Sequence, residues 1–196
     1  QRSGCFSPSL LGRCYRAQIY NRQNIPQSNP PDNLALRKMA SGKLFHSFVQ
    51  NLLPEHKNEV VVNTDPDIFG YADIVTEDTV YDIKSQHSKA FWYMEKSDYD
   101  VNVERETNIL QVVYYALRLN KPKACLIFIS KDDLCTAEYG FNTEAWKERV
   151  EDEIRTLRAF WLTDTLPPAT PRAFGGSECK YCSFLLTCQQ TEAKKG

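Results

Sequence analysis

Apolar residues recur along this chain with two periods, and the changes of period mark out its elements. Residues 7–20, SPSLLGRCYRAQIY, read as a helix with Ser7 as N-cap and Pro8 in the first turn, which places Cys14 inside it, flanked by Arg13 and Arg16. A Pro/Asn-rich linker, Ile25 to Asn33, leads to a second helix, Leu34 to Leu53, capped by Asp32 or Asn33 and ended by Pro54. Its Leu44, Phe45, Phe48, Val49 and Leu52 follow helical spacing, with His46 next to that stripe. Glu59 to Asn63 reads as a strand. Ile68 to Val75 and Val80 to Lys84 read as two strands joined by a polar turn with Glu77-Asp78 at the tip. In residues 86–107, Phe91, Trp92, Tyr93 and Tyr99 alternate with charge, and an irregular lid or a short helix is expected. Asn108 to Leu119 is a helix stopped by Asn120 and Pro122. Ala124 to Ser130, ACLIFIS, is continuously apolar, as in a strand buried on both faces. A weaker strand, Thr136 to Phe141, precedes a long amphipathic helix, Glu144 to Leu162, with Thr143 as cap; PPATP breaks it and a cysteine-rich tail follows. This order describes an α/β fold, a central mixed sheet flanked by helices.

The hairpin carries the first chemistry. A turn symmetric about Glu77/Asp78 sets Asp73 directly opposite Asp82, with Cβ atoms ~5 Å apart on one face. Lys84, two residues beyond Asp82, points to the same side. Opposed carboxylates destabilise a hairpin unless a counter-charge sits between them, and oxygen ligands on adjacent strands suit Mg²⁺ or Mn²⁺. Such an ion lowers the pKa of bound water and offsets charge growing on a phosphoryl oxygen, with Lys84 placed to hold the attacking water.

Charge sharpens that picture. The net charge of the 196 residues is −1, but residues 1–50 carry seven Lys/Arg against Asp32 alone, whereas residues 51–110 carry 13 acids and five bases. An acidic, metal-ready centre beside a basic segment suits an anionic polymer as substrate. Length and composition fit a single domain. No apolar run approaches the ~18 residues of a membrane span, and no secretory leader profile precedes the first helix, so no membrane association and a cytoplasmic location are expected. Gln1 in place of Met is what a trimmed or processed chain would show.

Seven cysteines, an odd number, argue for metal binding or buried thiols over a disulfide framework. Cys179, Cys182 and Cys188 have the spacing of a metal or cluster site, one ligand short. The fourth comes from Cys5, Cys14, Cys125 or Cys135; Cys125 opens the apolar strand and reads as a core residue. Four cysteines suit either Zn²⁺ or an iron–sulfur cluster.

Gly70-Tyr71-Ala72-Asp73 and Asp82-Ile83-Lys84 resemble the GxxD and (D/E)xK elements of PD-(D/E)XK nucleases. His46 and Gln111-Val112-Val113-Tyr114-Tyr115 resemble the upstream histidine and the Q-x-x-x-Y element of the RecB-like branch. Cys14 resembles the N-terminal cysteine of those members that close a [4Fe–4S] cluster between the chain ends, the AddB-type helicase-nucleases and the CRISPR-associated exonucleases (Cas family four). The resemblance spans residues 7 to 188. It implies a restriction-endonuclease-like core in a single domain, with residues 1–33 and 163–196 forming a cap around a site of Cys14, Cys179, Cys182 and Cys188. It implies Mg²⁺ or Mn²⁺ held by His46, Asp73, Asp82 and the Ile83 carbonyl, with Lys84, Gln111 and Tyr115 completing the catalytic set. Glu59 would assist through a water. The family often has Glu where Asp82 stands; Asp is one methylene shorter, which shifts the metal without abolishing binding. The implied activity is a metal-dependent DNA exonuclease acting on single strands or duplex ends, in CRISPR adaptation or recombination and with an integrase or recombination protein as partner. The aromatic stretch 91–99 would stack unpaired bases. The alternative is a non-catalytic DNA-binding iron–sulfur module.

Other classes lack their signatures. Gly42-Lys43 has neither the upstream glycine nor the Ser/Thr of a phosphate-binding loop, G-x-S-x-G is absent, and no His is followed by x-Glu as in zinc deaminases.

Overall fold

A computed structural model describes residues 4–52 and 56–194. Leu53 and the Pro54 helix stop lie outside them. The first expected helix is two pieces. A 3₁₀ turn covers Pro8–Leu10, and α1 covers Tyr15–Arg22 with Cys14 as its N-cap, so Cys14 precedes the helix and is not inside it. The break falls at Gly12, whose positive φ of 79° only glycine adopts readily. A Cβ there would meet Leu110 Cδ1 at 2.9 Å.

α2 runs from Asn33–Leu52, with Asp32 accepting the Ala35 N–H at 2.7 Å. Only part of its apolar spacing is a core stripe. Val49 is buried and Phe45 half-buried, but Leu44, Phe48 and Leu52 are exposed. The helix turns its Phe45/Val49 stripe to the sheet, which leaves the neighbouring Leu44/Phe48/Leu52 stripe to solvent.

The sheet is five-stranded in the order β1-β2-β3-β4-β5, formed by Lys57–Val62, Gly70–Val75, Thr79–Gln86, Lys123–Ser130 and Thr136–Asn142. Neighbours are antiparallel except β3 and β4, which run parallel. That parallel pair requires a crossover. It is made by α3 (Ser88–Met94), α4 (Val101–Glu104) and α5 (Glu106–Arg118), where the sequence left a lid and a later helix start. Asp100 caps α4 by accepting the Asn102 N–H, a local bond that favours a helical turn in this polar stretch.

α5 packs on one sheet face and buries Ile109, Leu110, Val112 and Val113 completely. α6 (Thr143–Leu162) packs outside α5 through Val150, Ile154 and Leu157. Its cap is Asn142, not Thr143: the Asn142 side chain accepts the Glu144 and Ala145 N–H groups as β5 passes directly into the helix. The opposite sheet face is covered by α2, with Val49, Ile74, Ile83 and Ile129 in one cluster. The tail closes with α7 (Leu185–Ala193). Among the described residues no helix is long and apolar enough to cross a membrane.

Chain ends meet around buried Glu153 of α6. It accepts the Gly12 N–H at 3.0 Å and the Tyr15 hydroxyl at 3.1 Å, and pairs with Arg149 and Arg172. Asn29 and Ser183 add a backbone bond between the same two segments.

Candidate active site and cysteine site

The hairpin register is the expected one. Thr76 N–H reaches Thr79 O at 2.9 Å, and Ile74 faces Tyr81 as Val75 faces Val80. Asp73 and Asp82 are the next pair in that register, but the ladder stops short of them. The cause is visible on the other side of β2. β1 and β2 pair on either side of Glu59 and Asp73 but not at that position, and Glu59 has a left-handed φ of 48°. Burial alternation slips there too: Ala72 and Val75 share one core although they are three residues apart. β2 therefore turns away from β3 at Asp73, and its carboxylate takes the Ile83 N–H (2.8 Å) in place of a ladder bond.

Around this notch the sequence-expected residues converge. Lys84 Nζ lies 2.6 Å from Asp82 Oδ2 and donates to Gln111 Oε1 at 3.2 Å. His46 Nδ1 lies 3.5 Å from Asp73 Oδ2. Asp82 is 1% exposed, and neither of its oxygens receives a well-directed hydrogen bond from the described residues; the Lys84 contact is an ion pair without that geometry. Burial, and then the Asp82 charge, push the Asp73 carboxyl up to about 7. Burial and then the Lys84 charge hold His46 below the usual imidazole value, so its neutral, metal-binding form is favoured.

Tyr115 is placed differently from Gln111, although one turn of α5 separates them. Its ring packs on the start of β2: a Cβ at Gly70 would lie 2.6 Å from its hydroxyl oxygen. Glu59 approaches the notch from β1, and Gln50 joins it to the site by donating to Asp73 O at 3.0 Å and standing 3.4 Å from Glu59 Oε1. Sequence reasoning missed Gln50. Its signal was the four-residue spacing from His46, which puts both on one helix face.

In the aromatic stretch Phe91 is core, while Trp92 and Tyr93 are exposed.

Cys14, Cys179, Cys182 and Cys188 line one small cavity, together with Arg16 and Glu178 among others. Cys5, Cys125 and Cys135 are not among its lining. Cys125 is buried on β4, and burial pushes its thiol up to about 11. Glu178 fixes the approach of the two chain ends by accepting the Cys14 N–H at 3.0 Å and the Arg172 N–H at 3.0 Å. Sequence reasoning missed Glu178 and took Arg16 only as a flank of Cys14; both lie within two residues of a cysteine.

Among the described residues, no three His, Cys, Asp or Glu side chains are gathered into a ready-made metal site. The donors nonetheless fit their groups chemically. The notch offers two buried carboxylates, one with both oxygens short of directed donors, and a neutral imidazole, a set suited to a hard divalent cation. The second site offers four thiols around one cavity, suited to a thiophilic metal or an iron–sulfur cluster.

No protein-family model matches this sequence, and no curated protein matches it. Solved structures do. The crystal structure of SSO0001 superposes with a TM-score of 0.57 at 22% identity, over 96% of this chain and 87% of that one. The alkaline exonuclease LHK-Exo from Laribacter hongkongensis superposes with a TM-score of 0.59 at 12% identity, over 83% of this chain and 90% of the exonuclease. The same exonuclease in complex with dAMP gives 0.59 at 13% identity. At such identities the likeness establishes a shared fold, which in this chain is a five-stranded mixed sheet flanked by helices.

Proposed function

We propose that this chain, sharing the fold of an alkaline exonuclease, is itself a metal-dependent DNA nuclease acting on single strands or duplex ends. One observation carries the proposal: Asp73, Asp82, Lys84, Gln111 and His46 meet at the single place where β2 and β3 part.

Asp73, Asp82, His46 and the Ile83 carbonyl are the groups that would hold Mg²⁺ or Mn²⁺. The bound ion would supply Lewis acidity toward a phosphoryl oxygen and a more acidic water. Lys84 is held between Asp82 and Gln111, so its ammonium is oriented rather than swinging free. There it steadies the attacking water and offsets negative charge as the phosphorus–oxygen bond to the leaving sugar breaks. Gln111 acts through Lys84 by accepting from it. Tyr115 acts through Gly70, fixing where β2 begins. Exposed Trp92 and Tyr93 offer faces on which unpaired bases stack. The four cysteines around one cavity would hold a [4Fe–4S] cluster that joins the chain ends in a structural role, since phosphodiester hydrolysis needs no redox step. A place in CRISPR adaptation or recombination, beside an integrase or recombination partner, is consistent with an end-trimming nuclease.

The test compares purified wild type and Lys84→Ala on single-stranded DNA and on blunt duplex, with Mg²⁺, Mn²⁺ or EDTA. Degradation should require the metal and fall by roughly a hundredfold or more in the variant. Undiminished cleavage by Lys84→Ala would sink this mechanism, and a wild type that binds DNA without cleaving it under any of the three conditions would favour a DNA-binding module.

A further inference from the structure

Arg16 is 1% exposed, which is unusual for a guanidinium. It follows Cys14 by two residues in the first turn of α1 and reaches across to the C-terminal segment. Nε donates to Pro167 O at 2.7 Å. Nη1 lies 2.6 Å from Glu192 Oε1 and 3.6 Å from Cys188 Sγ, within range of an N–H···S hydrogen bond. The sulfur it addresses is one of the four that line the cavity.

A buried cation is costly unless compensated. Glu192 compensates it in part, but that side chain is 48% exposed and its charge is screened by water. A neutral thiol adds little. A ligating thiolate would add a charge-assisted hydrogen bond, which is about twice as strong as a neutral one. Only the planar fork of arginine satisfies a carbonyl, a carboxylate and a sulfur together; lysine would bring the charge without the fork.

We infer that Arg16 is a positioning residue of a thiolate metal centre, donating to Cys188 Sγ and offsetting the negative charge that ligation leaves on it. The inference rests on the four cysteines being metal ligands. Hydrogen bonds to cluster sulfurs raise the reduction potential and slow the loss of metal. Arg16 therefore acts on the retention and potential of the centre, not on DNA cleavage directly.

The experiment uses full-length protein purified without oxygen as wild type, Arg16→Gln, Arg16→Lys and Glu192→Gln. Iron and zinc content, the rate of metal loss to a chelator and the midpoint potential of the iron-loaded form are measured. Arg16→Gln should lose metal roughly 10–100-fold faster than wild type, with a lowered potential. Arg16→Lys should fall between them, and it serves alone if Arg16→Gln does not fold. Glu192→Gln removes the ion pair but leaves the sulfur contact, so its loss rate should stay within about threefold of wild type. Loss in Glu192→Gln as fast as in Arg16→Gln would assign Arg16 to the ion pair alone. Retention in both Arg16 variants equal to iron-loaded wild type would overturn the inference while leaving the metal site standing. Wild type holding neither iron nor zinc would overturn the metal site, and the inference with it.

Discussion

Asp73→Asn separates the electrostatics of the notch from its shape. Asn retains an oxygen for the Ile83 N–H but cannot ionise, so the bond at 2.8 Å survives while the charge beside Asp82 goes. In the metal-free protein the Asp73 carboxyl titrates at about 7, against 3.8 in the unfolded chain. A folded-state value raised in this way contributes stability that is complete below the unfolded value and is lost as pH rises through the folded one. Between about pH 5 and about pH 8 the wild type should therefore lose up to roughly 2.7 kcal/mol that Asp73→Asn does not lose. Mutual repulsion with Asp82 makes this a ceiling, and a difference of 1–3 kcal/mol, to order of magnitude, is expected. His46 pulls the other way in both proteins, since a lowered imidazole value costs stability on acidification. The assay is urea unfolding in EDTA at both pH values. Repeating it with Mg²⁺ at the higher pH should stabilise wild type and leave Asp73→Asn unmoved, by the linkage of ligand to the folded state. A constant offset between the two proteins at both pH values, with equal responses to Mg²⁺, would refute both the raised carboxyl and its role as a ligand.

Gly70→Ala drives a methyl to 2.6 Å from the Tyr115 hydroxyl oxygen and 3.0 Å from Pro8, so stability should drop by ~1–3 kcal/mol in thermal or urea melts, with DNA cleavage falling as β2 shifts. Glu153→Gln leaves Arg149 and Arg172 facing a neutral amide, and unfolding free energy should fall by ~3–5 kcal/mol. Burial alone would raise the Glu153 carboxyl, but hydrogen bonds from the two arginines outweigh it and hold it below its usual value, so its contribution is present above that range and should fade on acidification. Trp92→Ala should weaken single-strand binding by ~1–3 kcal/mol in fluorescence titrations without moving the melting point of the free protein; unchanged binding would remove Trp92 from the DNA path.

Local chemistry was legible in the sequence wherever one element carried it. The hairpin register followed from the turn residues, and the buried β4 from seven unbroken weak-polarity positions in ACLIFIS. The residues of the notch were legible as well, because the D-x-K spacing and the Gln111 helix each project onto a known face. What was not legible depends on how elements meet. Nothing in the spacing of Leu44, Phe48 and Leu52 says that α2 turns the Phe45/Val49 stripe, and not theirs, to the sheet. The parting of β2 from β3 follows from a distortion on β1, a strand away, which no pattern within the hairpin contains. Gln50, Arg16 and Glu178 work through partners far along the chain; closeness to His46 or to a cysteine marked their positions but not what they would touch.

The left-handed turn at Glu59 has a second effect, on the outer side of its strand. β1 is an edge of the sheet, and it carries three consecutive valines, Val60 to Val62, with Val61 exposed. A straight edge of that composition is a template on which another chain can add a strand. Because the row of outward amides and carbonyls is broken at Glu59, an incoming strand meets Lys57 and Asn58 in one register and the valines in another. The distortion that opens room between two carboxylates thus also keeps this border from growing into a larger sheet.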